Sequence, residues 1–336
     1  MAYPSLGTTE WNELSSAYLN KTLSRELRDQ YTKKHPLLVW LRSKQRTEDT
    51  AAKWTWPVYD GSAAVGRSYT GVQGHTPVDV KVATTAEQDC AFWAEPIVFT
   101  HTDEQRTKGS GKTFDLLAAK RTHAMRRVTD KHSALIWSST QVNVTDPTTI
   151  RLAIPIDPTA STAFHNINPS SGNQTWWRNK TQTSTGSYST DGINKLDTAI
   201  NDMVEDSTTG MPELLVTTKA VFNFMQRASR GYMNLQSALM TKAGKQMADL
   251  GIPILSHNGI PVVHDSDCTT GCIYGVHSDA IEWVANEGGD YTLMGDGFES
   301  MRSTGVMAVV AYLRLEGNLR VTERRALLQV DGITAA

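Results

Sequence analysis

Between Lys112 and Trp137 the spacing of apolar residues predicts one long helix. With Phe114 at zero and 100° per residue, Leu117, Ala118, Met125, Val128, Leu135 and Ile136 fall within a stripe about 100° wide. Lys112, Lys120, Arg126, Arg127, Asp130 and Lys131 occupy the far side. Ser110 or Thr113 can cap the start, because a hydroxyl accepts the first free backbone amides. At 1.5 Å per residue the helix is roughly 39 Å long, which is long for a globular domain. Two side chains break the stripe. Arg121 fits either a snorkelling stem with its charge in water or an ion pair to a neighbouring subunit. His132 reads as a hydrogen-bonded core histidine rather than a ligand.

A chain of 336 residues can bury a large core, as one elaborate domain or two. Its net charge of −2 carries no electrostatic footprint of a nucleic-acid binder. Cys90, Cys268 and Cys272 are too few for a disulfide framework and point to a reducing compartment. The stretch MAYPSLGTTEWNE lacks the basic and apolar regions of a signal peptide, and the run Val306 to Leu313 is far short of a membrane span. These features describe a soluble intracellular product.

Residues 1–48 read as an arm, with a weak stripe (Leu14, Tyr18, Leu23, Leu27) and an apolar patch from Leu37 to Leu41. That is too little for an independent core, so the arm is expected to dock elsewhere. Next, Ala52, Trp54, Trp56 and Val58 alternate with Lys53, Thr55, Pro57 and Tyr59, and Val78, Val80 and Val82 alternate in the same way. Gly61, Gly66, Gly71 and Gly74 lie between them among few core-forming residues. Two strands so joined make a long hairpin that needs another molecule to lean on or is mobile.

Phe92 to Thr102 is a strand candidate leading to the long helix, and residues 138–190 are loop-dominated, with Trp176 and Trp177 needing cover from the helix that follows. Asp191 can cap that helix, where Ile193, Leu196, Ile200, Met203 and Val204 share a face. Leu214-Leu215-Val216 reads as a buried strand, Lys219 to Arg230 as a helix, and Cys272 to Val276 as another strand. His257-Asn258-Gly259 is a turn cluster between the short strands Ile252 to Leu255 and Ile260 to Val263. The alternation suggests a mixed α/β core. At the C-terminus, Met307 to Leu315 is expected to turn at Gly317-Asn318 and return from Leu319 to Val330.

No motif carries defensible catalysis. Gly109-Ser110-Gly111-Lys112-Thr113 mimics a phosphate-binding loop, but that loop needs a glycine where Arg106 stands. His257, His264, Asp265, Asp267, Cys268 and Cys272 include every common metal-ligand type. Cys-x3-Cys without a second pair is nevertheless no zinc spacing, and both histidines are expected to be solvated at strand ends. Neither G-x-S-x-G nor H-E-x-x-H occurs. The acidic set Asp202, Glu205 and Asp206 reads as a solvated helix face.

The order of parts resembles a tailed-bacteriophage major capsid protein of the HK97-like fold. The stretches WAEPIVFTHTDEQRTKGSGKTFDLLAAK, PELLVTTKAVFNFM, IPVVHDSDC, CIYGVHSDAIEWVANEGGDY and LRLEGNLRVTERRALLQVDGI carry the same texture. The resemblance implies an α+β HK97-like capsid fold with an N-terminal arm over 1–48 and an extended β-hairpin loop over 49–92. It implies a peripheral domain with the spine helix over 93–139 plus 296–336, and a mixed α/β axial domain over 140–295. It further implies a non-enzymatic structural subunit, without cofactor or metal, assembling as hexamers and pentamers into an icosahedral or prolate head around double-stranded DNA.

Scaffold, portal or decoration proteins are implied partners, DNA contact would be non-specific, no membrane is involved, and the protein would be made in the host cytoplasm for the virion. The expected subunit-contact residues are Trp54, Trp56, Tyr59, Arg67, Tyr69, Arg121, Arg126 and Arg127. With no long helical prefix before the arm, the scaffold is expected to be separate or absent, unless this chain is already processed. A bacterial encapsulin-type nanocompartment shell is the alternative, and a nucleotide-binding enzyme using Gly109 to Thr113 a more distant one.

Overall fold

The computed structural model describes residues 35–49, 52–59, 83–100, 116–137, 156, 163–170, 174–228, 241–249, 251–294, 299–300 and 308–334. Helix α1 (Pro36–Ser43) leads into β1 (Arg46–Glu48), β2 (Lys53–Tyr59), β3 (Ala83–Asp89) and β4 (Ala91–Thr100). The long helix α2 spans Leu116–Ile136. After β5 (Lys180–Thr183) come a π-helical turn (Tyr188–Gly192), α3 (Ile193–Asp206), β6 (Leu214–Thr217), α4 (Lys219–Ala228) and α5 (Lys242–Asp249). Strands β7 (Leu255–His257), β8 (Ile260–His264), β9 (Ile273–Val276), β10 (Ile281–Asn286), β11 (Thr292–Leu293) and β12 (Glu299–Ser300) follow. Strand β13 (Ala308–Val321) and β14 (Leu328–Asp331) close the chain.

The chain divides into two compact units, one drawing its described residues from 93–130 and 291–315, the other from 33–92, 131–290 and 316–336. The larger unit is built on a six-stranded sheet of order β5-β14-β9-β6-β8-β7. Its β14/β5 and β6/β8 pairs are parallel and the rest antiparallel. All four residues of β6 are buried, as the unbroken run Leu214-Leu215-Val216 requires of a strand covered on both faces. Helix α3 packs on β5 and β14, and α4 on β8. Leu196, Ala199, Ile200 and Met203 supply the buried face of α3 at helical spacing. Val204, expected on that face, is exposed.

The β7–β8 hairpin turns through Asn258 (φ 51) and Gly259 (φ 84), the left-handed pair a two-residue hairpin needs, so the turn falls where the sequence places it. The same unit holds β1 parallel to β10, β10 antiparallel to the end of β13, and β2 antiparallel to β3. In the smaller unit β11 and β12 pair with the first half of β13. There Lys120 Nζ of α2 donates to the Val98 carbonyl at 3.1 Å and sits 5.4 Å above the Phe99 ring.

Several expectations need correction. Residues 35–48, expected to dock elsewhere, pack on their own chain: Leu37, Leu38, Trp40 and Leu41 are at most 2% exposed, and β1 is hydrogen-bonded to β10. The apolar patch is the buried face of α1, which Pro36 starts by fixing φ in the first turn. The C-terminal hairpin does not form either. Strand β13 runs straight through Gly317 and Asn318, opposite Ala285 and Val284. A Cβ on Gly317 would stand 2.8 Å from the Val284 carbonyl, so this glycine permits close strand approach rather than a turn. The chain then passes a 3-10 turn (Arg324–Ala326) and enters the other sheet as β14.

Asp191 does not cap α3. It lies in the π-turn, and its carboxylate accepts the Thr185 N–H at 3.0 Å. Trp177 is buried, with Nε1 donating to the Phe164 carbonyl at 3.2 Å, and Arg324 and Arg325 donate to the carbonyls of Trp177 and Trp176. Residues 1–34, Val78 to Val82 and Gly109 to Thr113 lie outside the described residues.

Candidate assembly elements

The hairpin base is held by its own chain. Trp54 is buried against Cys90 and Val284, with Trp56 packed beside them. Trp56 meets the His165 ring edge-on at 4.8 Å and lies 5.6 Å beneath the Arg320 guanidinium. Arg320 Nε donates to Glu282 Oε1 at 2.6 Å and its Nη1 to Glu48 Oε1 at 2.9 Å, while Arg46 Nε reaches Glu282 Oε2 at 2.6 Å. Two arginines and two glutamates thus cross-brace β1, β10 and β13 directly under the hairpin. His165 helps to lock it, since its Nε2 accepts the Val321 N–H at 3.1 Å and its carbonyl accepts the Glu87 N–H at 3.1 Å. Burial holds that imidazole well below the usual histidine range, with Arg324 and Arg320 acting in the same direction.

The expected contact residues therefore separate. Trp54 belongs to the internal core and Trp56 is half-buried, so the base of the hairpin leans on its own chain. Tyr59, at the far end of β2, is 83% exposed. Arg67 and Tyr69 lie outside the described residues. On α2, Arg121 and Arg126 are exposed, and Arg127 forms an ion pair with Glu95. The buried row of that helix is Ala124, Val128, His132, Ser133 and Ile136, so His132 is a core residue. Burial, with Arg42 next in effect, lowers the His132 pKa to about 4.

Neither a protein-family model nor a curated protein matches the sequence. Solved structures do match. The capsid asymmetric unit of cyanophage A-1(L) matches with a TM-score of 0.71 at 14% identity, over 94% of this chain and 97% of that one. The capsid of the native GTA particle matches at 0.60 and 12% identity, over 99% and 100% of the two chains. The holo-SrpI encapsulin complex from Synechococcus elongatus PCC 7942 matches at 0.55 and 9% identity, over 100% and 98%. Each likeness runs through nearly the whole of both chains. The fold is the HK97-like capsid fold.

Within this HK97-like chain, side chains far apart in sequence form two further polar clusters. His257 is no solvated strand end. Its Nδ1 lies 3.0 Å from the Tyr188 hydroxyl and its Nε2 2.8 Å from Asp197 Oδ1, which also accepts from Asn258 Nδ2 at 2.9 Å. This relay ties the π-turn and α3 to the β7–β8 hairpin, and burial raises the Tyr188 pKa. His264 is likewise half-buried, its ring 5.0 Å from Phe222, and burial followed by Lys219 lowers its pKa.

Of the metal-ligand types concentrated near residues 257–272, only Asp265 and Asp267 fall, among the described residues, in a group of three whose possible ligand atoms all lie within 4.8 Å of one another. Their third member is His35, from the start of α1. The three cysteines are buried free thiols, and burial pushes Cys90 up to about 12. The hairpin relay and the His35 cluster had no sequence signal beyond the residue types themselves, because contact across the fold, not spacing, assembles them. Among the described residues no helix is long and apolar enough to cross a membrane.

Proposed function

We propose that this chain is the major capsid protein of a tailed phage, a non-enzymatic subunit that assembles as hexamers and pentamers into an icosahedral or prolate head around double-stranded DNA. The observation that carries the reading is the end-to-end likeness to shell subunits, over 94% of this chain and 97% of the cyanophage subunit. In this reading the segment before α1 is the N-arm, and the β2–β3 hairpin with residues 60–82 is the extended loop. Helix α2 is the spine of the peripheral domain, and the β5-β14-β9-β6-β8-β7 sheet with its helices forms the axial domain.

Tyr59, Arg67, Tyr69, Arg121, Arg126 and Arg127 are the proposed subunit contacts. Their neighbours supply what an isolated hairpin lacks, so part of the folding energy is assembly energy. With a net charge of −2, DNA contact would be weak and non-specific. Scaffold, portal and decoration proteins are the further partners, and the head of the virion is the place of action.

Electron microscopy of the purified chain, expressed alone and with a co-expressed scaffolding protein, tests this. Closed particles of uniform diameter are the expected product. Failure to close a shell under either condition overturns the proposal. A nanocompartment shell is the second reading, favoured by the likeness to the SrpI encapsulin over 100% of this chain. Particles filled with a protein cargo and free of nucleic acid would select it.

A further inference from the structure

At the start of α1, His35 meets the loop that follows β8. His35 is 3% exposed and Asp265 1%, and the Asp267 side chain is 14% exposed. One ligand atom from each lies within 4.8 Å of the others. The contact between His35 Nδ1 and Asp267 Oδ2 is 3.6 Å, beyond a hydrogen bond but close to the roughly 3.4 Å that separates two ligands on a tetrahedral ion with bonds of about 2.1 Å.

The loop is preset for the purpose by its own backbone. The Asp265 N–H donates to the Thr217 carbonyl at 2.9 Å, and Asp265 Oδ1 accepts the Asp267 N–H at 3.1 Å. Ser266 Oγ donates to Asp267 Oδ1 at 3.4 Å. Asp265 Oδ2 is left buried without a hydrogen bond. The Trp137 indole helps to favour the charged carboxyl, yet its Nε1 makes no hydrogen bond of proper geometry either. A buried carboxylate oxygen with no donor is costly, and a bound cation is one way to satisfy it.

Two carboxylates and one imidazole also leave net negative charge in a place shielded from water. One nitrogen and two oxygens suit a borderline first-row ion better than magnesium or calcium, which take oxygen ligands.

We propose that His35, Asp265 and Asp267 bind a divalent transition-metal ion of the zinc or manganese class, which clips the start of α1 to the loop after β8. A water would fill the remaining coordination position, and the role is structural.

The chelator-stripped, purified full-length chain is titrated with zinc chloride, and separately with manganese and magnesium chlorides. Bound metal is counted by mass spectrometry, and zinc ligands are read by X-ray absorption. The expected result is one zinc or manganese per chain and a raised melting temperature, with magnesium at least tenfold weaker. The zinc spectrum should show only nitrogen and oxygen neighbours. His35→Gln and the more accessible Asp267→Asn should each weaken zinc at least tenfold, with circular dichroism reporting whether each variant is folded. Less than a tenth of a metal per chain overturns the proposal. So does sulfur in the zinc shell, which would place the ion at Cys268 or Cys272, or undiminished binding in folded Asp267→Asn. The wild-type stoichiometry and ligand spectrum decide the matter even where a variant does not fold.

Discussion

Arg320 lays its guanidinium 5.6 Å from the Trp56 ring while its Nε donates to Glu282 at 2.6 Å. One side chain thus joins the base of the hairpin to the buried ionic brace under β1, β10 and β13. The Glu282 side chain is 6% exposed, so losing either arginine leaves charge in the interior without its full partner set. Arg320→Leu is expected to lower unfolding free energy by about 3–5 kcal/mol, the usual cost of breaking a buried pair from one side. Arg320→Lys should fall between that and wild type, because a lysine restores charge but not the planar fork that reaches Glu282 and Glu48 together. Urea denaturation of unassembled subunits measures both. A loss below about 1 kcal/mol for the leucine variant would mean that the brace is solvated in solution.

Gly317 supplies a second prediction. It lies in the extended strand β13 opposite Ala285, and an added methyl would sit 2.8 Å from the Val284 carbonyl and 3.3 Å from the Trp283 ring. Gly317→Ala is expected to destabilise the subunit by about 1–3 kcal/mol, since neither backbone nor a packed indole gives way freely. At Gly210, where an added Cβ meets nothing within 4 Å and φ is +83, the same change should cost only the left-handed backbone penalty, about 1 kcal/mol. The difference in urea midpoint between the two variants separates close packing from turn strain.

That contrast shows where the sequence is readable. The Asn258-Gly259 turn and the apolar run Leu214-Leu215-Val216 of β6 are local patterns, and the structure has them where the sequence places them. Gly317-Asn318 carries the same composition as a turn, but packing against β10 sets its conformation, and that lies outside any sequence window. Strand β3, ATTAEQD, escapes pattern reading because its inward residues Thr84 and Ala86 are small and it is held by β2 rather than by a hydrophobic face. Of the expected contacts, Trp54 shows the limit of composition. An aromatic on an alternating strand suits an interface and a core equally, and only Cys90 and Val284 decide which. The His35 cluster joins the start of α1 to the loop after β8, so no spacing could announce it.

His132 makes stability depend on pH with a definite sign. Its folded pKa of about 4 lies below the ordinary 6.5, so the unfolded chain takes up the proton first. Its contribution is fully present above pH 6.5 and is lost as pH falls toward 4, to a limit of about 3 kcal/mol. His165 and His264 act in the same direction, whereas the raised Asp265 carboxyl opposes them as its charge disappears. Comparing wild type with His132→Gln isolates the one group. The variant is expected to show a shallower fall in urea midpoint between pH 6.5 and 4. Parallel curves would place the His132 ring in contact with solvent.

Trp54 and Tyr59 stand on the same strand with opposite surroundings, 6% and 83% exposed, so one pair of substitutions separates folding from assembly. Trp54→Ala opens a cavity beside Cys90 and Val284 and should cost the isolated subunit about 3–5 kcal/mol. Tyr59→Ala removes a ring that the subunit itself does not cover, and its stability should stay within about 0.5 kcal/mol of wild type. If Tyr59 is covered by a neighbouring subunit in the shell, the same change should raise the concentration needed for particle formation several-fold, read by light scattering and sedimentation. Unchanged assembly with unchanged stability would remove Tyr59 from the contact surface. A loss of subunit stability equal to that of Trp54→Ala would mean that the end of β2 packs on its own chain. Deleting residues 61–74 extends the test: the base held by Trp54, Trp56 and Arg320 should leave a folded subunit, while closed particles no longer form. An unfolded deletion product would make that segment part of the core.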